Sequence, residues 1–319
     1  PADPPVRREI PVYTVSDRIG ADCVTIPAEK LVAVVKTNRP NEVGGFTPLD
    51  ETTAKIGANV ASFLENEMKE GRIPASFLPI QSGVGNIANA VLGSLGANPD
   101  IPPFEMYTEV IQDAVIGLMK EGNCKFASGC SLTVSNPVLD EIYNDLEFFK
   151  DKLVLRPQEI SNNPEVARRL GLITINTALE ADIFGNVNST HVTGTKMMNG
   201  IGGSGDFARN AYLSIFVCQS ASKENKISHV IPMVTHHDHT EHDVDVLVTD
   251  QGLADLRGLA PRERAEVIIE NCVHPDFKAE IREYFETACA TVGGQTPHLL
   301  EDAFRFHTRL KQTGSMQIA

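Results

Sequence analysis

Two glutamates four residues apart, Glu105 and Glu109, lie in the stretch PPFEMYTEVIQDAVIGLMKEG, residues 102–122. The apolar run around them reads as a strand that passes into a helix over 110–122, stopped by Gly122. A carboxylate is ionised at neutral pH and needs no base before it attacks an activated acyl carbon. Glu109 stands at the C-terminal end of its strand, where open α/β sheets place their ligands. Glu105 alternates onto the same face but lies deeper in the sheet. Glu109 is therefore the candidate nucleophile; the plainer alternative is a surface glutamate favouring the first turn of the next helix.

A carboxylate nucleophile needs donors for the oxyanion it creates. The stretch SGVGNIAN (82–89) supplies a candidate: a strand, then Gly83, Val84 and Gly85, then a helix opening at Asn86. Backbone N–H groups at such a turn suit a phosphate or an oxyanion. Ala88 stands where the third glycine of a dinucleotide fingerprint would be, and no Gly-Lys-Ser/Thr follows. A second glycine turn, MMNGIGGSGDFARNA (197–211), carries Gly200, Gly202, Gly203 and Gly205. Ser204 within it does not make a serine-hydrolase elbow, because Asp206 replaces the second glycine.

Two rival sites are weighed. Glu180, in NTALEADIFGNVNSTHV, is a second conceivable nucleophile, but it falls in a hairpin pattern turning at Gly185-Asn186. The run VTHHDHTEHD (234–243) gathers His236, His237, His239 and His242 with Asp238 and Asp243. It lacks H-E-x-x-H and reads as a loop or strand pair, so hydrogen-bonding histidines are expected, with no metal.

The elements that must position these groups alternate. A capped helix follows Asp50 or Thr52, with Ile56, Val60, Leu64 and Met68 on one face. Strands are expected at 73–80, 103–109, 152–155, 172–178, 213–218, 227–234 and 244–249, and helices at 163–170, 262–271 and 275–290. Pro261 suits the first helical turn. Strand–helix alternation predicts an α/β fold on a mainly parallel sheet.

The chain has 319 residues, 28 basic and 42 acidic, for a net charge of −14. That balance argues against nonspecific nucleic-acid binding. Apolar runs fall short of a membrane span, and a secretory leader is not recognised. Cys23, Cys124, Cys130, Cys218, Cys272 and Cys289 are irregularly spaced and read as reduced thiols of a cytosol-like compartment. The start at Pro1 reads as an interior cut or a processed end.

IQSGVGNIANAV, MYTEVIQDA, GIGGSGDFARNA and VDVLVTDQGLADLRGLAPRERAEVIIENCVHPDF, in that order, resemble the acetyl-CoA hydrolase/CoA-transferase family, and within it the succinyl-CoA:acetate CoA-transferases. The likeness covers nearly the whole chain. It implies a three-layer, open, mainly parallel sheet of the CoA-transferase type, with residues 1–45 the end of a first related domain plus linker and 46–319 the second, catalytic domain. It implies ping-pong transfer of CoA through a glutamyl-CoA thioester on Glu109. Coenzyme A would be a substrate, with no tightly bound cofactor. Gly83, Val84, Gly85, Asn86, Asn199 and Gly203 would provide oxyanion donors and the CoA pocket. Asn162 matches a position close to the glutamate, and Asp250 one where relatives usually carry Glu followed by an aromatic residue.

Acyl-CoA and small carboxylic acids are the implied partners, and a homodimer is the default. The setting would be cytoplasmic, or mitochondrial in a eukaryote. Thioester hydrolysis by the same glutamate is the nearest alternative. A CoA- or nucleotide-binding module without catalysis, and a zinc hydrolase built on the histidines, are more distant ones.

Overall fold

Eight strands form the central sheet of the computed structural model, which describes residues 5, 8–39, 50–222 and 224–318. They are β1 (Ile80–Ser82), β2 (Phe104–Tyr107), β3 (Cys124–Gly129), β4 (Leu153–Leu155), β5 (Ile173–Thr177), β6 (Leu213–Val217), β7 (Val246–Val248) and β8 (Leu253–Asp255). Their spatial order is β8-β7-β6-β5-β1-β2-β3-β4. Every neighbouring pair is parallel except β7 and β8. The chain lays β1 to β4 outward in one direction, then returns to the other flank of β1 for β5. That reversal leaves a crevice at the carboxyl ends of β1 and β5, the usual ligand position in open α/β sheets.

The sheet is covered on both faces. From β6, Leu213, Ile215 and Val217 join a core with helices α1 (Glu51–Lys69), α2 (Asn86–Ala97) and α3 (Asp113–Glu121). Phe216 points the other way, into a core with α6 (Pro261–Cys272) and α7 (Pro275–Thr291). Strand β7 divides likewise, Val246 and Val248 from Leu247. Burial on two sides explains why these strands read as continuous apolar runs. A third core joins Ile10, Val12 and Val15 to Tyr107, Phe126, Val166 of α4 (Pro164–Leu170) and Phe207 of α5 (Ser204–Ala208). Part of the expected linker is thus packed against the sheet, whereas Val32, Val34 and Val35 are exposed. Positions 1–4, 6–7 and 40–45 of that linker lie outside the described residues.

Several boundaries differ from the sequence pattern. Residues 73–79 are not a strand, because Pro74 and Pro79 withhold ladder donors and Phe77 turns at φ 65°. The helix expected from 110 begins at Asp113; Val110–Ile111 instead pairs in parallel with Ser131–Leu132. The strand expected over 227–234 shrinks to Val230–Ile231, ended by Pro232, and belongs to a separate three-stranded sheet. The hairpin at Gly185-Asn186 does form: Glu180–Asp182 pairs antiparallel with Val187–Asn188, and Gly185 adopts φ 95°. Asp50 is the α1 N-cap, accepting from Thr53 N–H at 2.8 Å. Among the described residues, no helix is long and apolar enough to cross a membrane.

A buried hydrogen-bonded pair fastens helix α8 (Arg305–Thr313) to the small sheet. His307 Nε2 lies 2.8 Å from Glu180 Oε2, while Asn188 Nδ2 and the Thr235 N–H and hydroxyl donate to Oε1. Burial alone would push the Glu180 carboxyl up. The hydrogen bond and charge of His307, with Thr235 and Asn188, outweigh it and hold the group below its usual range. A depressed carboxyl contributes stability that is complete above its unfolded pKa and lost as pH falls through the folded one. His307→Leu removes the Nε2 partner of the buried Glu180 carboxylate and is expected to cost about 1–3 kcal/mol near neutral pH. Urea unfolding at neutral and acidic pH checks this; the deficit should shrink in acid. Glu180, committed to this network, is not free to act as a nucleophile.

Candidate functional site

At the carboxyl ends of β1 and β5 lies a crevice of about 410 Å³. Its floor holds a reciprocal amide pair between Gln81 and Asn176, at 3.3 and 3.2 Å. Glu109 lines one wall, beside Gly83 and Val84; Asn199, Gly200, Ile201, Gly203 and Ser204 line another. The two glycine turns and the proposed nucleophile, about 120 residues apart at the extremes, thus share one cavity.

Glu109 sits in a bend between β2 and Val110–Ile111, two residues beyond the strand rather than at a strand–helix junction. Its main chain is fixed: Cys130 and Ser131 N–H groups donate to its carbonyl at 2.8 and 3.2 Å. Its side chain is half-buried, and Gly203 N–H donates to Oε2 at 2.9 Å. The approach of Glu109 to Gly203 requires glycine, because a Cβ at Gly203 would stand 2.5 Å from Oε2.

The same imagined Cβ would stand 2.4 Å from Asn162 Nδ2. Asn162 follows the short helix Gln158–Ser161, which Tyr107 OH holds by donating to Ile160 O at 2.6 Å. Ser161 Oγ donates to Asn162 Oδ1 at 2.8 Å and so sets the amide's orientation. Asn162 Nδ2 is buried and has no hydrogen-bond partner among the described residues. An orphan donor beside a carboxylate and a backbone N–H is a costly arrangement unless a ligand atom satisfies it. Cys130 also neighbours Glu109. Burial and the Glu109 charge push its thiol up, against a Ser161 hydrogen bond, so the sulfur is a protonated bystander.

The first glycine turn is held by a residue the sequence pattern did not single out. Buried Gln112 donates to Gly83 O at 2.9 Å and accepts from Gly85 N–H at 3.2 Å. It thereby ties the turn to the segment carrying Glu109. Gly85 has φ 116° and ψ −178°, a conformation open essentially to glycine alone. Gly83 and Val84 line the crevice; Gly85 and Asn86, where α2 opens, are not part of its lining. Asn199 Nδ2 donates to Ser189 O at 2.6 Å and steadies the far wall.

Asp250 is not brought into the crevice lining. It lies two residues past β7, where its carboxylate accepts from Ser220 N–H at 2.6 Å, Ser220 Oγ at 3.0 Å and Gln251 Nε2 at 2.7 Å. The histidines disperse too. His191 and His236 stack at 3.9 Å, His242 is exposed and His239 is buried. Among the described residues, no three His, Cys, Asp or Glu side chains are grouped to hold a metal ion.

Residues 139–285 match the family described as acetyl-CoA hydrolase/transferase C-terminal domain. The chain is 55% identical to a succinyl-CoA:acetate CoA-transferase of Clostridium kluyveri, over 99% of its own length and 58% of that relative. It is 45% identical to an acetyl-CoA hydrolase of Candida glabrata, over 100% of its length and 62% of the relative. It therefore spans less than two thirds of either relative. In fold it is similar to the crystal structure of 4-hydroxybutyrate CoA-transferase from Porphyromonas gingivalis. The TM-score is 0.60 at 24% identity, covering 76% of this chain and 57% of that one.

Proposed function

Because the chain belongs to the acetyl-CoA hydrolase/transferase family, we propose that it forms the catalytic part of a CoA-transferase with Glu109 as nucleophile. One observation carries the reading. The Glu109 carboxylate faces an open crevice with a backbone N–H at 2.9 Å and the buried, unpartnered Asn162 Nδ2 alongside.

In this proposal an acyl-CoA places its thioester carbonyl against Glu109. The carboxylate adds to the carbonyl carbon, and the new oxyanion takes hydrogen bonds from Gly203 N–H and Asn162 Nδ2. The tetrahedral species expels CoA thiolate and leaves an acyl-glutamyl anhydride. The thiolate then attacks the glutamyl carbonyl, releasing the acyl group as its carboxylate and forming the glutamyl-CoA thioester. A second carboxylate reverses both steps and departs as the new acyl-CoA. The likeness to a succinyl-CoA:acetate CoA-transferase favours succinate and acetate as the exchanged acids. Coenzyme A enters as a substrate, and a homodimer is the working assembly of this proposal.

The test is intact-mass spectrometry of the full-length protein after incubation with acetyl-CoA or succinyl-CoA, followed by borohydride or hydroxylamine trapping. A modification mapped to Glu109 is expected. An active preparation with no modification there would overturn the assignment. The likeness to an acetyl-CoA hydrolase favours a second reading, water as the final acceptor. Thioester loss at equal rates with and without added carboxylate would select it.

A further inference from the structure

We propose that His239 is a positioning residue for the oxyanion donor at Gly203 and acts through Ser204. This inference rests on the assignment of Glu109 and deepens it. The turn carrying Gly203 is made of residues with little side chain to pin it, and Gly202 has φ 57°. Ser204, the next residue, does the pinning. Its hydroxyl donates to Ile201 O at 2.9 Å and closes the turn on itself.

His239 Nε2 lies 3.0 Å from the same Ser204 oxygen. With the hydroxyl proton committed to Ile201, Ser204 Oγ can only accept from the ring, so the imidazole carries its proton on Nε2. The ring is a fixed post. It is fully buried and lies 4.7 Å from Phe216 of β6, centroid to centroid. The His239 main chain exchanges hydrogen bonds with Val187, at 2.8 and 3.1 Å. One neutral imidazole therefore connects the central sheet and the Val187–Asn188 hairpin to the turn that presents Gly203 N–H to Glu109.

The other ring nitrogen supports this tautomer. Nδ1 is buried without a hydrogen-bond partner among the described residues. A second proton there would be an N–H with no acceptor, a costlier group to bury unpaired than a bare nitrogen. Burial first, and then the charge of Arg209, just past α5, push the imidazole down to about 4, against the opposing pull of Asp238 and Asp243. His239 is thus a neutral, single-direction donor over the working range of most enzymes. A histidine kept merely to fill space would need its shape but not this proton.

Three variants of the full-length enzyme test the proposal through steady-state CoA exchange, with Glu109 labelling of the wild type as reference. His239→Leu keeps the bulk and removes the donor; kcat is expected to fall about 100-fold, as for a displaced oxyanion donor. KM for acyl-CoA should stay within about threefold, because ground-state binding does not use the moved donor. His239→Gln returns an N–H near the Nε2 position and is expected to recover kcat to within about fivefold of wild type. Ser204→Ala leaves the core ring untouched and should lower kcat about tenfold. His239→Gln as slow as His239→Leu, or Ser204→Ala at wild-type kcat, would overturn the proposal. If His239→Leu does not fold, the other two variants decide. Absence of the Glu109 label in active wild type would instead remove the nucleophile assignment itself.

Discussion

Glu109→Gln is expected to lower CoA exchange by roughly 10⁴-fold or more, the scale seen when a covalent nucleophile is removed. The substitution is close to isosteric, and its amide oxygen can still accept from Gly203 N–H at the 2.9 Å position. The bend is held by main-chain bonds from Cys130 and Ser131, which the change does not touch. Thermal unfolding should therefore match wild type, separating lost chemistry from lost structure. Glu109→Asp is a sharper probe. It keeps the charge but withdraws the carboxylate by one methylene from both Gly203 N–H and the substrate carbon, so at most a trace of exchange should survive. Exchange of isotopically labelled acetate into acetyl-CoA measures both variants. Retention of more than about 1% activity by Glu109→Gln would be incompatible with a covalent role, given the size of the expected loss.

The residues that make this site were unequally visible in the chain. Gly83, Gly85 and Gly203 announce themselves, because a glycine before a helix has few other reasons to be repeated. Glu109 can be placed by the rule that ligands meet the carboxyl ends of parallel strands, although the pattern reads a strand–helix junction where the chain makes a bend. Val110–Ile111 looked helical because two apolar residues before a helical pattern cannot show which partner claims them. Their partner, Ser131–Leu132, is made available by β3, whose KFASG carries too much polarity and glycine to read as a strand.

Gln112, Ser161 and His239 were hidden for a different reason. Their roles are hydrogen bonds to groups distant in sequence or to a single neighbouring amide, and no periodicity reports such bonds. In sequence His239 is one of a cluster, yet the cluster dissolves in the fold and its buried member His239 reaches Ser204 instead. Asp250 shows the converse. A position matched to a Glu of the relatives is occupied with bonds to Ser220 and Gln251 and does not line the crevice.

The second large effect is expected from a single methyl group. Gly203→Ala should reduce kcat by about 100-fold or more, since a displacement near 1 Å at a reacting group can cost that much. Gly203 has φ −82° and ψ 0°, which suits any residue, so backbone strain is not the cause. The cause is contact. The added Cβ would lie 2.4 Å from Asn162 Nδ2, 2.5 Å from Glu109 Oε2 and 3.2 Å from the Phe207 ring. Asn162 is buried and its amide is oriented by Ser161, and Phe207 belongs to the third core, so neither yields easily. The half-buried Glu109 side chain is the group that moves, and it moves off the donor it needs. Overpacking of this kind costs stability by about 1–3 kcal/mol, which leaves the protein folded enough to assay.

Gly200→Ala is the matched control. Gly200 also lines the crevice, but a Cβ there meets no atom within 4 Å. Its kcat should stay within a few-fold of wild type. Comparable losses in both variants would mean that the turn as a whole, rather than the Gly203–Glu109–Asn162 contact, sets the rate. A loss confined to Gly203→Ala, with acyl-CoA KM little changed, would locate the transition-state donors at that contact, because uniform binding contributes to KM and not to kcat.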